Sequence, residues 1–164
     1  MEIWGFRKLS PAETSTNIIS IRPAIAADQA TITSIVRKVG INRSGLDWQR
    51  FLVAETDGQI VGIGQIKPHP ECRELASIGM LPEWQRQGIA SRIIRELLAK
   101  ESGPLYLMCL HHNEPFYLRF GFRRIKTNDM PPYFRKINRF MKVFTPVSYL
   151  FMKGGAHPRI MKRD

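Results

Sequence analysis

The segment Ile78-Gly79-Met80-Leu81-Pro82-Glu83-Trp84-Gln85-Arg86-Gln87-Gly88-Ile89-Ala90-Ser91 passes from strand to turn to helix within fourteen residues. The β-rich run 74–81 ends at Pro82, which cannot donate to a sheet ladder. A helix is predicted over 88–100. Its apolar set is Ile89, Ile93, Ile94, Leu97 and Leu98, and Ser102-Gly103-Pro104 terminates it. The first turn of a helix has backbone N–H groups without intrahelical acceptors and carries a partial positive charge, so an anion docks there if no side chain blocks the approach. Gly88 and Ala90 keep that approach clear, Ser91 adds a hydroxyl donor and Arg86 a full charge. A phosphate cradle is the functional reading; small residues serving helix packing are the plainer one.

Working outward, residues 18–22 alternate like a half-buried strand, and Pro23 ends them. Asp28 is placed to cap a helix carrying Ile32, Ile35, Val36 and Val39, closed by Gly40. Residues 51–55 and 60–66 are β-rich, and Asp57-Gly58 between them signals a hairpin. Pro68-His69-Pro70 reads as a break before the strand over 74–81. Residues 105–110 are apolar enough for a strand buried on both faces. A short helix over 113–119 and a strand over 122–125 follow, then an irregular stretch opened by Met130-Pro131-Pro132, and a last strand over 140–147. The order β α ββ β α β α β β implies an α/β protein of the α+β type. Its mixed central sheet would have six to seven strands and about four flanking helices. The expected organisation is an arm over 1–17, one domain over 18–147 and a basic tail over 148–164.

The chain has 164 residues and 43% hydrophobic content, enough for one domain with a real core. No apolar run approaches the ~18 residues that span a bilayer, and residues 1–10 lack the apolar stretch of a secretion signal. Cys72 and Cys109 make no disulfide framework and have no metal-ligand spacing, so a cytoplasmic setting is expected. The net charge is +11, and from Lys126 to Asp164 nine Lys/Arg face only two Asp. That excess either attracts anions or is a solvated basic surface.

Gln85, Gly88 and Ala90, after a strand and a Pro and before an amphipathic helix, resemble the Gln/Arg-x-x-Gly-x-Gly/Ala motif of the GNAT superfamily of N-acetyltransferases. The resemblance covers about 18–147. It implies a GNAT fold and acetyl-CoA as co-substrate, with no metal. Gln85, Arg86, Gln87, Gly88, Ile89, Ala90 and Ser91 would hold the pyrophosphate. The pantetheine arm would lie where two central parallel strands, 74–81 and 105–110, splay apart, pairing with backbone groups of Ile78 and Met80. Gly79 is the expected bulge or close-approach site.

Amine acetylation needs a neutral amine, a polarised thioester and a proton for the leaving thiolate. Tyr117-x-x-x-Gly121-Phe122 is similar to the end of the second GNAT motif, which implies Tyr117 as general acid and Asn113 as a cofactor contact. Tyr117 follows Asn113 by only four positions, a shorter interval than in the family, and the usual small residue is missing. A core aromatic is the alternative for Tyr117. Glu74, eleven residues before Gln85, resembles the base glutamate of histone-acetylating members; a strand-edge charge paired with Arg73 or another cation is the alternative, and a water could serve as base instead. By alternation Glu74 shares a face with Ala76 and Ile78. His111-His112 reads as loop, and Cys109 as core. The stretch 130–136 resembles a loop of stand-alone N-acetylglutamate-synthase-like members, which implies an amino-acid-like or other anionic acceptor held by Arg135 and Lys136. The partners expected are therefore acetyl-CoA and an amine acceptor, with no membrane. Direct attack in a ternary complex is implied because no activated nucleophile is evident. The competing reading is a weakly catalytic module that binds acyl-CoA, protein or nucleic acid. Tyr133, Phe134 and Tyr149 are not arranged as a stacking motif for nucleic acid. A homodimer is left open.

Overall fold

The computed structural model describes residues 18–148 and 158–164, and side chains outside 141–157. Seven strands form one sheet in the order β1-β2-β3-β4-β5-β7-β6. They are β1 (Ser20–Pro23), β2 (Phe51–Thr56), β3 (Gln59–His69), β4 (Cys72–Met80), β5 (Leu105–Cys109), β6 (Arg123–Arg124) and β7 (Arg159–Arg163). The helices are α1 (Gln29–Val39), α2 (Ile89–Ala99), α3 (Glu114–Leu118) and α4 (Pro132–Ser148). All neighbouring strands are antiparallel except β4 and β5, which are parallel. The architecture is the mixed α/β sheet that the element order implies. None of the described helices is long and apolar enough to cross a membrane.

The sheet separates two main cores because its strands alternate. On one face Leu52, Ile66, Leu75 and Met80 pack under Ile89, Ile93, Ile94 and Leu97 of α2. On the other, Phe51, Val53, Ile60 and Ile63 meet Ile32, Ile35 and Val36 of α1. A third cluster joins Met130 and Phe134 to Ile160 of β7. Asp57 and Gly58 form the β2–β3 turn with φ of 48° and 74°, the doubly left-handed geometry of a tight hairpin.

Four expectations are corrected. Residues 140–147 belong to helix α4 and not to a strand. Pro132 opens that helix at a position where a missing N–H costs nothing, and Tyr133, Phe134, Ile137 and Asn138 form its covered side. The final strand is β7, inside the stretch read as a tail; Ile160 and Met161 are buried between β5 and β6. Strand β3 runs through Pro68 to His69, and the turn lies at Pro70-Glu71, since His69 pairs with Cys72. Asp28 makes no side-chain cap on α1. It accepts from the Ile25 N–H at 2.9 Å and from Arg22 at 2.7 Å. Arg22 also pairs with Glu55. The hydrogen bond from Arg22 holds the Asp28 carboxyl below the usual range.

The bulge also differs from expectation. The register is Ile63↔Gly79 and then Gln65↔Ala76, so β4 carries one extra residue between them. Ser77, with φ of 54°, is the left-handed residue of that bulge. Gly79 is instead a close approach: a Cβ there would stand 3.1 Å from Val39 Cγ2 and 3.2 Å from Ile41 Cδ1. The bulge reverses the alternation, so Leu75, Ile78 and Met80 all pack on the α2 side. Glu74 therefore does not share a face with Ile78.

Tight seating of α2 generates a test. A Cβ at Gly64 would lie 2.7 Å from both Ile78 Cδ1 and Ile93 Cγ2. Gly64→Ala should cost about 1–3 kcal/mol by overpacking. The expected result is a lower midpoint in guanidinium chloride with an unchanged slope. Gly103→Ala, where a Cβ meets nothing within 4 Å, is the control. Equal midpoints for the two variants would mean that this contact is slack.

Candidate active site

Beyond Met80 the chain leaves the sheet through the Leu81 N–H, which donates to the Val61 carbonyl at 2.9 Å. A 3-10 turn, Pro82–Trp84, leads to extended Gln85 and then to Arg86 with φ of 61°. Gly88 opens α2 at φ of 79°, without a side-chain cap. The first helical bond runs from the Arg92 N–H to the Gly88 carbonyl at 3.1 Å. The amides of Ile89, Ala90 and Ser91 therefore have no acceptor within the helix. A Cβ at Gly88 would meet nothing within 4 Å, so the approach is open. Left-handed residues at Arg86 and Gly88 are of the kind that can gather backbone N–H groups around an anion.

The seven expected cradle residues lie together, with distinct parts. Gln85 Nε2 donates to the Met80 carbonyl at 3.4 Å and Gln87 Nε2 to the Glu83 carbonyl at 3.0 Å, so these two side chains tie the loop to itself. Ile89 is buried in the core and offers only its amide. Arg86 is exposed at the mouth, and Ser91 is half-buried.

The β4–β5 ladder consists of Arg73↔Leu105 and Glu74↔Tyr106 alone. Past Glu74 the parallel strands part, which is the expected splay. Ile78 and Met80 lie on the diverging end of β4, with side chains directed to α2 and to Gly62 and Gly64.

Tyr117 stands in α3, edge-on to Phe116 (5.1 Å) and Phe122 (6.3 Å). The chain reverses tightly at Gly121 to bring Phe122 into the core beneath it. No hydrogen bond of the Tyr117 hydroxyl is found among the described residues. Burial pushes the phenol up to about 12, with Cys109 adding to the effect. The Cys109 thiol is itself pushed up to about 11 by burial and by Glu114, with Arg159 opposing. It is therefore a protonated core residue at neutral pH. Asn113 is exposed at the start of α3, and its side chain caps nothing. His111 and His112 are exposed, and no metal-binding group occurs among the described residues.

Glu74 is 8% exposed, at the last rung before the splay. Its Oε2 lies 2.7 Å from His69 Nε2. Arg73 pairs with Glu101 instead. The His69 ring stacks on Tyr133 at 3.6 Å, and Phe134 meets it edge-on at 6.2 Å. Burial, then Glu74 and Cys72, push the Tyr133 phenol upward. His69 and Tyr133 are candidate site residues that sequence reasoning missed. The available signal was a two-residue turn at Pro70-Glu71, which sets His69 diagonally across from Glu74. Arg135 and Lys136 are not brought to this cluster. Both are exposed on α4, and the Arg135 guanidinium donates to the carbonyls of Met130 (3.0 Å) and Asn128 (3.3 Å).

Residues 47–124 match the family model described as an acetyltransferase (GNAT) domain. No curated protein matches the sequence. N-acetylglutamate synthase from Neisseria gonorrhoeae, complexed with coenzyme A and N-acetyl-glutamate, superposes with a TM-score of 0.69 at 22% identity, covering 89% of this chain and 35% of that one. The chain thus spans about a third of that synthase's length. Rv2747 from Mycobacterium tuberculosis, in complex with CoA and NLQ, gives 0.63 at 22% identity and covers 88% and 98%. A GNAT family acetyltransferase from Brucella melitensis, in complex with acetyl-CoA, gives 0.54 at 23%, covering 65% and 84%. At these identities the likeness is one of fold.

Tyr117 yields a direct test. A phenol raised to about 12 stays protonated through neutral pH. The ultraviolet absorbance titration of the wild type minus that of Tyr117→Phe should show one tyrosine deprotonating near 12. Its contribution to stability is complete below the ordinary tyrosine value of about 10 and is lost as pH rises through the folded value. A difference titration centred near 10 would mean that the hydroxyl is solvated.

Proposed function

We propose, because residues 47–124 match the model of an acetyltransferase (GNAT) domain, that the chain transfers an acetyl group from acetyl-CoA to the primary amine of a small, amino-acid-like acceptor, by direct attack in a ternary complex. One observation carries the reading: the β4–β5 ladder stops at Glu74↔Tyr106, and the strand that diverges there leads to an uncapped, left-handed helix start. Pyrophosphate would rest on the amides of Ile89, Ala90 and Ser91, with Arg86 beside it. The pantetheine arm would run into the gap and pair with the backbone of Ile78 and Met80. The thioester would then lie between Glu74 and Tyr117. The complexes of the Neisseria and Mycobacterium proteins with coenzyme A support this cofactor, and the N-acetyl-glutamate bound to the former supports an amino-acid acceptor.

In this mechanism the Glu74 carboxylate takes the amine proton, directly or through a water. His69, bonded to one carboxylate oxygen, fixes its direction and leaves the other oxygen for the amine. The neutral nitrogen attacks the thioester carbon. A C–N bond forms, the carbonyl oxygen takes up charge, and collapse breaks the C–S bond. Tyr117 meets the departing thiolate. A phenol near 12 transferring its proton fully to a thiolate nearer ~8.5 moves uphill. Its contribution is therefore largely a hydrogen bond to the developing charge, with the proton completed from water.

The test is thiol release from acetyl-CoA across a panel of amines and amino acids. Tyr117→Phe keeps the ring and should lower kcat roughly 10- to 10²-fold, below the 10²–10⁴ range of a full acid–base catalyst. Wild-type kcat in this variant would remove Tyr117 from the chemistry. Glu74→Gln should slow turnover most at low pH, where the acceptor amine is protonated, and raising pH should restore part of the rate. A pH-independent loss would argue against a base. Binding of CoA without thiol release on any acceptor would overturn the catalytic reading.

A further inference from the structure

The face of the sheet opposite α2 carries a row of polar side chains that the acetyl transfer described above does not use. Gln65, Lys67 and His69 alternate along β3 on that face. Their partners across the ladder are Ala76, Glu74 and Cys72. Gln65 is 0% exposed, Lys67 7% and Glu74 8%. Interior polar groups of this kind are ordinarily satisfied within the protein. Here the row is not. Gln65 Nε2 donates to Ser77 Oγ at 2.9 Å, but its Oε1 has no partner among the described residues. The Lys67 ammonium has three donors. The one hydrogen bond found for it among the described residues runs to Ser44 Oγ, at 3.4 Å.

Lys67 is the more telling of the two. A buried cation costs heavily unless an anion faces it. No ion pair of Lys67 occurs among the described residues. Glu74, directly across the ladder, is turned to His69 instead. The lysine is nevertheless held in place. Gly45 lies on its stem so closely that a Cβ there would stand 2.7 Å from Lys67 Cε. A charge fixed by its surroundings and left without a counter-ion is arranged for an anion that arrives from outside.

Position supplies the class of that anion. Residues directly opposite on an antiparallel ladder have Cβ atoms about 5 Å apart. An acceptor that offers its amine to Glu74 therefore presents its next few atoms to Lys67. We propose that Lys67, with Ser44, binds the carboxylate of an α-amino-acid acceptor and is the residue by which the protein distinguishes an amino acid from a simple amine. The proposal rests on Glu74 acting as the base. It differs from the sequence expectation, which gave this task to Arg135 and Lys136. Those two stand on the outer side of α4, and Arg135 is occupied with loop carbonyls.

The experiment uses matched acceptors, L-tyrosine with tyramine and L-phenylalanine with phenethylamine, which differ only in the α-carboxylate. The wild type should favour the amino acid of each pair in kcat/KM. Lys67→Met, close to isosteric, should reduce that preference by about 10-fold or more, chiefly through the KM of the amino acid, while the KM for acetyl-CoA holds. Lys67→Arg keeps the cation and should retain most of the preference, and Ser44→Ala should lower it by a smaller factor. A wild type that favours the plain amine, or a Lys67→Met variant that loses both acceptors equally, would overturn the proposal and leave Lys67 a structural cation. Calorimetric titration of L-tyrosine into the CoA-saturated protein separates this failure from failure of the acetyltransferase reading. Binding that is lost in Lys67→Met but kept in Lys67→Arg supports the subsite even without turnover. Equal binding by wild type and Lys67→Met rejects it even in an active enzyme.

Discussion

The extra residue that β4 accommodates at Ser77 sets the geometry of everything around it. Up to Glu74 the strand is an ordinary neighbour of β5. At Ser77 the backbone turns left-handed, the register against β3 shifts by one, and the rest of β4 follows a different line. A non-glycine residue in that region costs of order 1–3 kcal/mol and persists only where its surroundings fix it. The Gln65 amide does so by donating to Ser77 Oγ from a fully buried position. The bulge, rather than the hydrophobic pattern of β4 alone, explains why a parallel pair begins as a sheet and ends as a gap.

The same bulge divides the chemistry. Because it inverts the alternation, the apolar residues on both sides of Ser77 point to α2 and give that helix a continuous bed. The helix is thereby fixed with its uncapped start at the open end of the sheet. Glu74, on the other parity, is left facing Cys72, His69 and Tyr133. The proposed cofactor cradle and the proposed base thus come from one strand by way of opposite faces. The proposed acceptor is met on the face that β3 lines with polar groups, away from the apolar seat of α2.

Legibility in the sequence followed how local the physics was. The strand–turn–helix passage of the candidate cradle could be read because each feature is short-range: Pro82 ends a strand, Gly88 and Ala90 open a helix, and Ile89 to Leu97 keep its period. The Asp57-Gly58 turn was readable for the same reason. The bulge was not, because Ser77 carries no left-handed signature and Gly79, two residues on, does. Its neighbour contacts show Gly79 serving close packing against Val39 and Ile41 instead. Strand β7 has only Ile160 and Met161 between charged residues, so its place between β5 and β6 is a tertiary outcome. Helix α4 was hidden by apolar and β-branched residues in 140–147, and its proline start resembled a loop. His69 was obscured by the two prolines around it, although Pro68 sits inside β3 with its partner Arg73.

Net charge is a poor guide to which cations matter; local partners are a better one. Several of the 25 Lys and Arg side chains are already held by carboxylates of the fold, and those pairs add nothing to the net charge of +11. Arg22 binds Asp28 and Glu55, Arg73 binds Glu101, Arg124 binds Glu114, and Arg123 and Lys162 share Asp164. Arg86 and Lys67 have no ion pair among the described residues, and they differ in solvation. Arg86 is exposed, so water compensates it and its contribution to an incoming phosphate is a modest, salt-screened attraction. Lys67 is 7% exposed, so water compensates it less, and the proposed acceptor carboxylate would supply the difference. An exposed cation draws many anions weakly, whereas a desolvated one favours the anion whose shape reaches it. The general basic field of the chain accordingly suits attraction of phosphate-bearing molecules at a distance, and the buried Lys67 suits the proposed choice among small acceptors.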